Sequence, residues 1–201
     1  LKKQLDNKYK KLTYIINGGR NRMESVYKGI CNIKEENSIV LIHDGVRPFV
    51  SQDTINKCIK TGLKYKACIP ATDIVDTVKL AKEGFVEKTL DRSLFVSVQT
   101  PQTFTYDIIK TCYDKAIIEK LNVTDDASVV EYYGVKVKVV KSNSNNIKIT
   151  TPFDLKIANV LINDLKWEIR IVNGELIKRN KREKNIVNFT NELNFSLCGA
   201  T

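Results

Sequence analysis

Asp44 and Arg47 stand three residues apart, directly after the apolar run SIVLIH (38–43). A carboxylate there can hold a divalent metal, and a guanidinium can grip phosphate through two parallel hydrogen bonds. The same two residues could equally form a structural ion pair at a strand end. Lys148 lies among β-branched residues in Asn146-Ile147-Lys148-Ile149-Thr150. An ammonium in such a run is costly unless it reaches an anion or snorkels to solvent. Thr77, Lys79, Thr89 and Arg92 fall in one β-rich stretch. Hydroxyls with a cation suit a phosphate monoester, although a solvated ribbon face would have the same composition. His43 is the only histidine, and the five cysteines (31, 58, 68, 112 and 198) include no C-x-x-C. Neither a zinc site of the usual kind nor a disulfide framework is expected, and a Cys–His or Ser–His nucleophile has no positional support.

These residues need a scaffold, and the chain alternates strand and helix patterns. Leu12–Ile16 reads as a short strand, 21–32 as a helix and Ser38–His43 as a buried strand. Ser51–Lys64 has helical spacing with Gly62 weakening its last turn, and Ala67–Ala71 is another strand. Thr105–Lys120 and Asp125–Tyr133 read as helices, the second closed by Gly134. Val135–Val140 and Ile147–Thr150 read as strands, and Thr151-Pro152-Phe153-Asp154 opens a final helix. Such alternation predicts an α/β fold, a Rossmann-like, mostly parallel sheet flanked by helices. Ligands of these sheets bind beyond the carboxyl ends of the strands, where the polar clusters fall here. Residues 72–100 lack a helix pattern and read as a β-arm projecting from the sheet.

Composition narrows the function classes. At 201 residues, 42% hydrophobic and 28% charged, the chain suits one globular domain, and no apolar run nears the ~20 residues of a membrane-spanning helix. The net charge of +10 sits mostly at the ends: residues 1–12 carry +4 and 166–201 carry +3. No basic-aromatic or zinc-finger motif accompanies it, so neither nucleic acid nor membrane is expected as a partner. Scattered cysteines suit reduced core residues of a cytoplasmic protein. Residues 1–165 read as one domain, and 166–201 as a basic tail or linker of unknown role.

Six segments occur in fixed order: GGRNRMESV (18–26), HDGVRPFV (43–50), TLDRS (89–93), VQTPQTF (98–104), TDDASVVE (124–131) and NIKITTPFDLKIAN (146–159). Together, over residues 12–165, they resemble the 2-C-methyl-D-erythritol 4-phosphate cytidylyltransferases. They are also similar to the related D-ribitol-5-phosphate cytidylyltransferases of wall and capsule synthesis. TLDRS and TDDASVVE favour the former branch. The resemblance implies a nucleotidyltransferase (GT-A-like) fold and transfer of CMP from CTP to a sugar-alcohol phosphate, with Mg²⁺ as cofactor and release of pyrophosphate. In the methylerythritol branch this serves isoprenoid precursor synthesis. It implies that Gly19, Arg20 and Ser25 lie against the cytosine, Arg20 standing where an acidic residue is common. It implies that Asp44 contacts metal or the sugar-alcohol phosphate, that Arg47 binds that substrate and that Lys148 stabilises charge on the reacting phosphates. Thr77, Arg92 and Thr100 match arm residues that reach the substrate phosphate across a homodimer interface, the arm 72–100 being exchanged between subunits.

The family also carries a glycine-rich loop with an Arg that cradles the triphosphate. No G-x-G-x-R element occurs in these 201 residues. The expectation is a domain lacking its first strand and glycine loop, which alone turns over CTP poorly. The contrasting expectation is an inactive relic that acts only through binding or assembly.

Overall fold

The computed structural model describes residues 12, 14–164, 167–172, 175–180 and 196–198. Helix α1 (Arg22–Cys31) starts where the Asn21 side chain accepts from the Glu24 N–H at 2.8 Å, capping an otherwise orphan donor. Its stripe of Val26 and Ile30 is buried. Strand β1 (Ile39–Asp44) buries Val40, Leu41 and Ile42 in succession, without alternation, as a strand covered on both faces does. Helix α2 (Gln52–Tyr65) is capped by Ser51 and stops at Lys66, which adopts a left-handed conformation. Gly62 does more than weaken this helix. A Cβ there would come within 2.9 Å of Thr103 and 3.1 Å of Ile39, so glycine lets α2 lie directly on the sheet.

The remaining elements are β2 (Ala67–Asp73), β3 (Lys79–Lys82), β4 (Phe85–Thr89), β5 (Val96–Val98), β6 (Gln102–Thr105), α3 (Tyr106–Ile118), α4 (Asp126–Tyr132), β7 (Lys138–Lys141), α5 (Pro152–Asp164), β8 (Trp167–Val172), β9 (Glu175–Asn180) and β10 (Ser196–Cys198). In the main sheet β1, β2, β7 and β10 run one way, and β5 and β6 run against them. The sheet is therefore mostly parallel, as expected. Strands β5 and β6 share one edge of β2, with Ala71 opposite Val98 and Cys68 opposite Thr103. Between them, at Gln99–Pro101, the ladder breaks. There the Gln99 side chain and the Thr100 carbonyl bond to the 143–146 segment.

Neighbouring strand residues serve opposite faces, as the two-residue period requires. Ala67 joins the layer of α1, α3 and α4 with Phe104, Ile109 and Tyr113, while Cys68 packs with Cys58 of α2 and Val140. Full burial of each large apolar side chain contributes roughly 1.5–3 kcal/mol. Helix α5 closes over Phe49 through Ala158 and Ile162. Its start has the expected box: Asp154 N–H donates to Thr151 Oγ1, and the Asp154 carboxylate accepts from the Thr150 and Thr151 N–H groups.

Three expectations change. In the described part of Leu12–Ile16 there is no strand. Ile147–Thr150 is not a strand either: a single backbone bond, from Ile149 N–H to Val46 O at 2.9 Å, ties it to the loop after β1. Its two isoleucines instead pack beside Phe49. The arm is shorter than 72–100, because β5 returns to pair with β2 and only the hairpin β3–β4 with its flanks projects. Gly84, with φ +85°, makes its turn. Residues 1–11 of the basic amino-terminal stretch, and most of 181–201, lie outside the described residues. Strands β8 and β9 pair with each other, and β10 pairs in parallel with β1.

Candidate active site

The carboxyl end of β1, the β5–β6 break, the amino end of α4 and the 146–150 segment border one cavity of about 460 Å³. Its walls include Asp44, Arg47, Thr100 and Lys148, four of the residues singled out in the sequence, together with Arg22. Asp44 is the hub. Its carboxylate lies 3.3 Å from Lys148 Nζ, 3.4 Å from Arg47 Nε and 3.8 Å from Arg22 Nη2. Burial works against its charge, but Lys148, Arg22 and Arg47 outweigh that and hold its pKa below the ordinary 3.8. The cavity wall carries Arg22, Arg47 and Lys148 against Asp44, Asp125 and Glu131, so it offers placed cations that can meet phosphate and no net positive charge.

Each cation is held from a different direction. Arg47 Nη1 donates to the Asn146 carbonyl at 2.8 Å. Asn146, fully buried, donates through Nδ2 to Gln99 Oε1 and to the Thr100 carbonyl, fastening the 146–150 segment to the ladder break. Lys148 is thereby brought to Asp44 by a segment that follows β7 by several residues. Arg22 forms a two-pronged pair with Asp126, at 3.0 and 2.6 Å. Burial would lower its pKa, yet the bonds to Asp126 outweigh it and push it above the ordinary guanidinium range. Asp126, wholly buried, also accepts from the Tyr113 hydroxyl.

Behind Asp44 lies the imidazole of His43, with Nδ1 2.9 Å from Thr100 Oγ1 and Nε2 3.0 Å from the Arg47 carbonyl. Burial lowers its pKa, and the Arg47 charge adds to that effect. At the amino end of α4, Asp125 caps through the Ser128 N–H, while Gln102 donates to Asp125 and accepts from the Ala127 N–H. Loops on both sides of the cleft are thus tied to strands.

The other expected site residues lie elsewhere. Gly19, Arg20 and Ser25 form a separate cluster at the start of α1. The Gly19 N–H donates to Ser25 Oγ at 2.9 Å, and a Cβ on Gly19 would sit 2.2 Å from Glu24 Cβ. Arg20 points to solvent and spends its guanidinium on Glu24. Thr77 and Arg92 sit exposed at the base of the arm and are not part of the cavity wall. Arg92 donates to the Val75 carbonyl. Thr100, grouped with them by motif, instead belongs to the cleft of its own chain.

A family model described as IspD, 2-C-methyl-D-erythritol 4-phosphate cytidylyltransferase, matches residues 2–164. The chain belongs to the IspD family. Among relatives of that name, the Clostridium novyi protein is 45% identical over 157 residues, covering 78% of this chain and 68% of the relative. The Clostridium botulinum protein is 45% identical over 163 residues, covering 81% and 72%. The crystal structure of the 4-diphosphocytidyl-2C-methyl-D-erythritol synthase of Anaerococcus prevotii superposes with a TM-score of 0.74 at 36% identity, over 80% of this chain and 75% of that one. The Thermus thermophilus enzyme gives 0.68 at 29%, over 74% and 72%.

Within this IspD chain the sequence reading missed Arg22 and Asp126, which lie inside the GGRNRMESV and TDDASVVE segments. Their signal was the pairing of an arginine with an aspartate 104 residues away, which spacing along the chain cannot reveal. His43 was visible only as a lone histidine.

Proposed function

We propose that the cleft transfers CMP from CTP to 2-C-methyl-D-erythritol 4-phosphate. The observation that carries this reading is the convergence of Asp44, Arg47, Thr100 and Lys148, distant in sequence, on one cavity with placed cations. A phosphate oxygen of the sugar-alcohol substrate attacks the α-phosphorus of CTP, the bond to the bridging oxygen breaks and pyrophosphate leaves. Such a reaction needs alignment and neutralisation of developing charge more than a strong base. Lys148 supplies a cation that Asp44 holds in place. Arg47 and Asp44 receive the substrate end, and Arg22, locked by Asp126, keeps the Asp44 carboxylate oriented.

Asp44 is the carboxylate a Mg²⁺ would meet in this cleft, but its oxygens already face Lys148, Arg47 and Arg22, so it would be at most one weak ligand. The ion keeps several waters and is commonly held by one or two carboxylates together with substrate phosphates. No cluster of three or more His, Cys, Asp or Glu that could hold a metal occurs among the described residues, so the phosphates would complete the set. When bound, the ion neutralises phosphate charge.

We further propose a homodimer in which Thr77 and Arg92 of one arm reach the phosphate in the partner's cleft. The arm supports this with apolar side chains turned to solvent, among them Val75 and Leu94. No helix among the described residues is long and apolar enough to cross a membrane. Free Cys58, Cys68 and Cys112 suit a reducing, cytoplasmic compartment. With no G-x-G-x-R element, these 201 residues alone are proposed to turn over CTP slowly.

The test is pyrophosphate release by the product of the complete open reading frame. Release should require CTP and 2-C-methyl-D-erythritol 4-phosphate together. Equal or faster release with D-ribitol 5-phosphate would overturn the substrate assignment. Comparable turnover by the 201-residue chain would overturn the proposed slowness.

A further inference from the structure

The single imidazole of the chain touches two residues of the cleft directly and reaches a third through one of them. His43 Nε2 lies 3.0 Å from the Arg47 carbonyl oxygen, and Nδ1 lies 2.9 Å from Thr100 Oγ1. Thr100 Oγ1 also accepts from the Asp44 N–H at 3.1 Å. A carbonyl oxygen only accepts, so Nε2 carries a proton. In a neutral ring Nδ1 is then an acceptor, and the proton shared with Thr100 belongs to the hydroxyl. This fixes the hydroxyl completely. Its proton points at His43, one lone pair takes the Asp44 N–H, and one lone pair remains for the cavity that Thr100 lines.

We propose that His43, as its Nε2–H tautomer, is a positioning residue that makes Thr100 an acceptor-only contact, so that Thr100 selects a hydroxyl of the sugar alcohol and not a phosphate oxygen. The assignment rests on the cytidylyltransferase reading and extends it to a specificity-determining pair. A phosphate dianion brings no proton to a lone pair and is repelled by it, whereas a polyol hydroxyl donates to it. Phosphate recognition then falls to the cations, and Thr100 reads the polyol. By holding the Arg47 carbonyl, the ring also fixes the backbone from which that guanidinium projects.

Because His43 is the only histidine, a long-range ¹H–¹⁵N correlation spectrum of the labelled chain reports its tautomer without ambiguity. At about pH 7.5, above the ordinary imidazole pKa, the protonated nitrogen should be the one coupled to both ring carbon protons. Protonation at Nδ1, or the two similar nitrogens of an imidazolium, would overturn the positioning role. The selectivity is read by calorimetric titration of 2-C-methyl-D-erythritol 4-phosphate and, separately, inorganic phosphate. His43→Gln can still reach the Arg47 carbonyl but offers Thr100 no acceptor. It should weaken the polyol phosphate about tenfold while inorganic phosphate binds unchanged or more tightly. His43→Asn, which presents Oδ1 near the place of Nδ1, should recover most of the polyol affinity. Equal weakening of both ligands would mean a merely structural histidine and would overturn the proposal. A wild-type chain that binds phosphate but not the polyol phosphate would sink the cytidylyltransferase reading and the polyol selection with it; a wrong tautomer would sink the positioning role alone.

Discussion

The cleft and the arm are built on opposite terms. In the cleft, Arg22, Arg47 and Lys148 each meet a carboxylate contributed by their own chain, and the residues that hold Arg22 and Arg47, Asp126 through its carboxylate and Asn146 through its backbone carbonyl, are fully buried. On the arm every residue of β3 and β4 is exposed, and its polar contacts, such as Lys79 with Thr89, stay within the arm. Val75, Phe85 and Leu94 are each about four-fifths exposed, at 80, 79 and 79%. The difference teaches where positioning comes from. The geometry of the cleft is set by its own fold, whereas the arm turns cationic and apolar groups to solvent, where the proposed partner would meet them.

The largest effect should come from breaking the cleft from within. Asp126→Asn strips the charge from the buried partner of Arg22, and removing one side of a buried pair costs roughly 3–5 kcal/mol. Thermal or urea unfolding should show that loss, whereas Phe85→Glu on the arm should leave the monomer's stability nearly unchanged and abolish dimers in sedimentation. Comparable destabilisation by both would erase the contrast. Next, Lys148→Ala should reduce kcat on the order of 10²-fold, the scale for removing one stabiliser of developing charge. A loss confined to affinity, with turnover intact, would contradict its charge-stabilising role. Arg92→Ala should raise KM for the polyol phosphate about tenfold and leave KM for CTP unchanged. If CTP suffered equally, the arm would not address the second substrate.

The smallest effect is a dependence on acidity. Asp44 and Asp125 have folded pKa values below the ordinary 3.8: burial opposes the shift in each, the three cations outweigh it at Asp44, and bonds from Ser128 and Gln102 outweigh it at Asp125. Their stabilising contribution is therefore complete above about pH 4 and lost as pH falls through the lower, folded values. Asp125→Asn should flatten that acid limb of stability, and an unchanged limb would remove Asp125 from the account.

Much of this was legible in the residues. HDGVRPFV put Asp44 and Arg47 at a strand end, and the strand and helix periods of β1, α2 and α3 followed from apolar spacing. Lys148 stood out because an ammonium between isoleucines needs an anion or solvent, and it has both, being exposed and 3.3 Å from Asp44. What sequence could not reveal were partners made by topology. The resemblance groups Thr100 with the arm residues Thr77 and Arg92, but the return of β5 to β2 delivers it to the cleft. Ile147 and Ile149 alternate as a strand would, yet they pack beside Phe49 without a ladder. Arg22 and Asp126 meet only because α1 and α4 lie in one layer.

In the proposed homodimer one chain's cleft and its partner's arm make a single site. Coexpression of Lys148→Ala with Arg92→Ala, each at about a tenth of wild-type activity or less at limiting polyol phosphate, tests it directly. Random pairing gives half mixed dimers, each with one site whose Lys148 and Arg92 are both native. Activity should return to about a quarter of wild type, as a two-fold dimer with shared sites requires. Mixed dimers that form but show no more activity than the two variants measured apart would contradict the account.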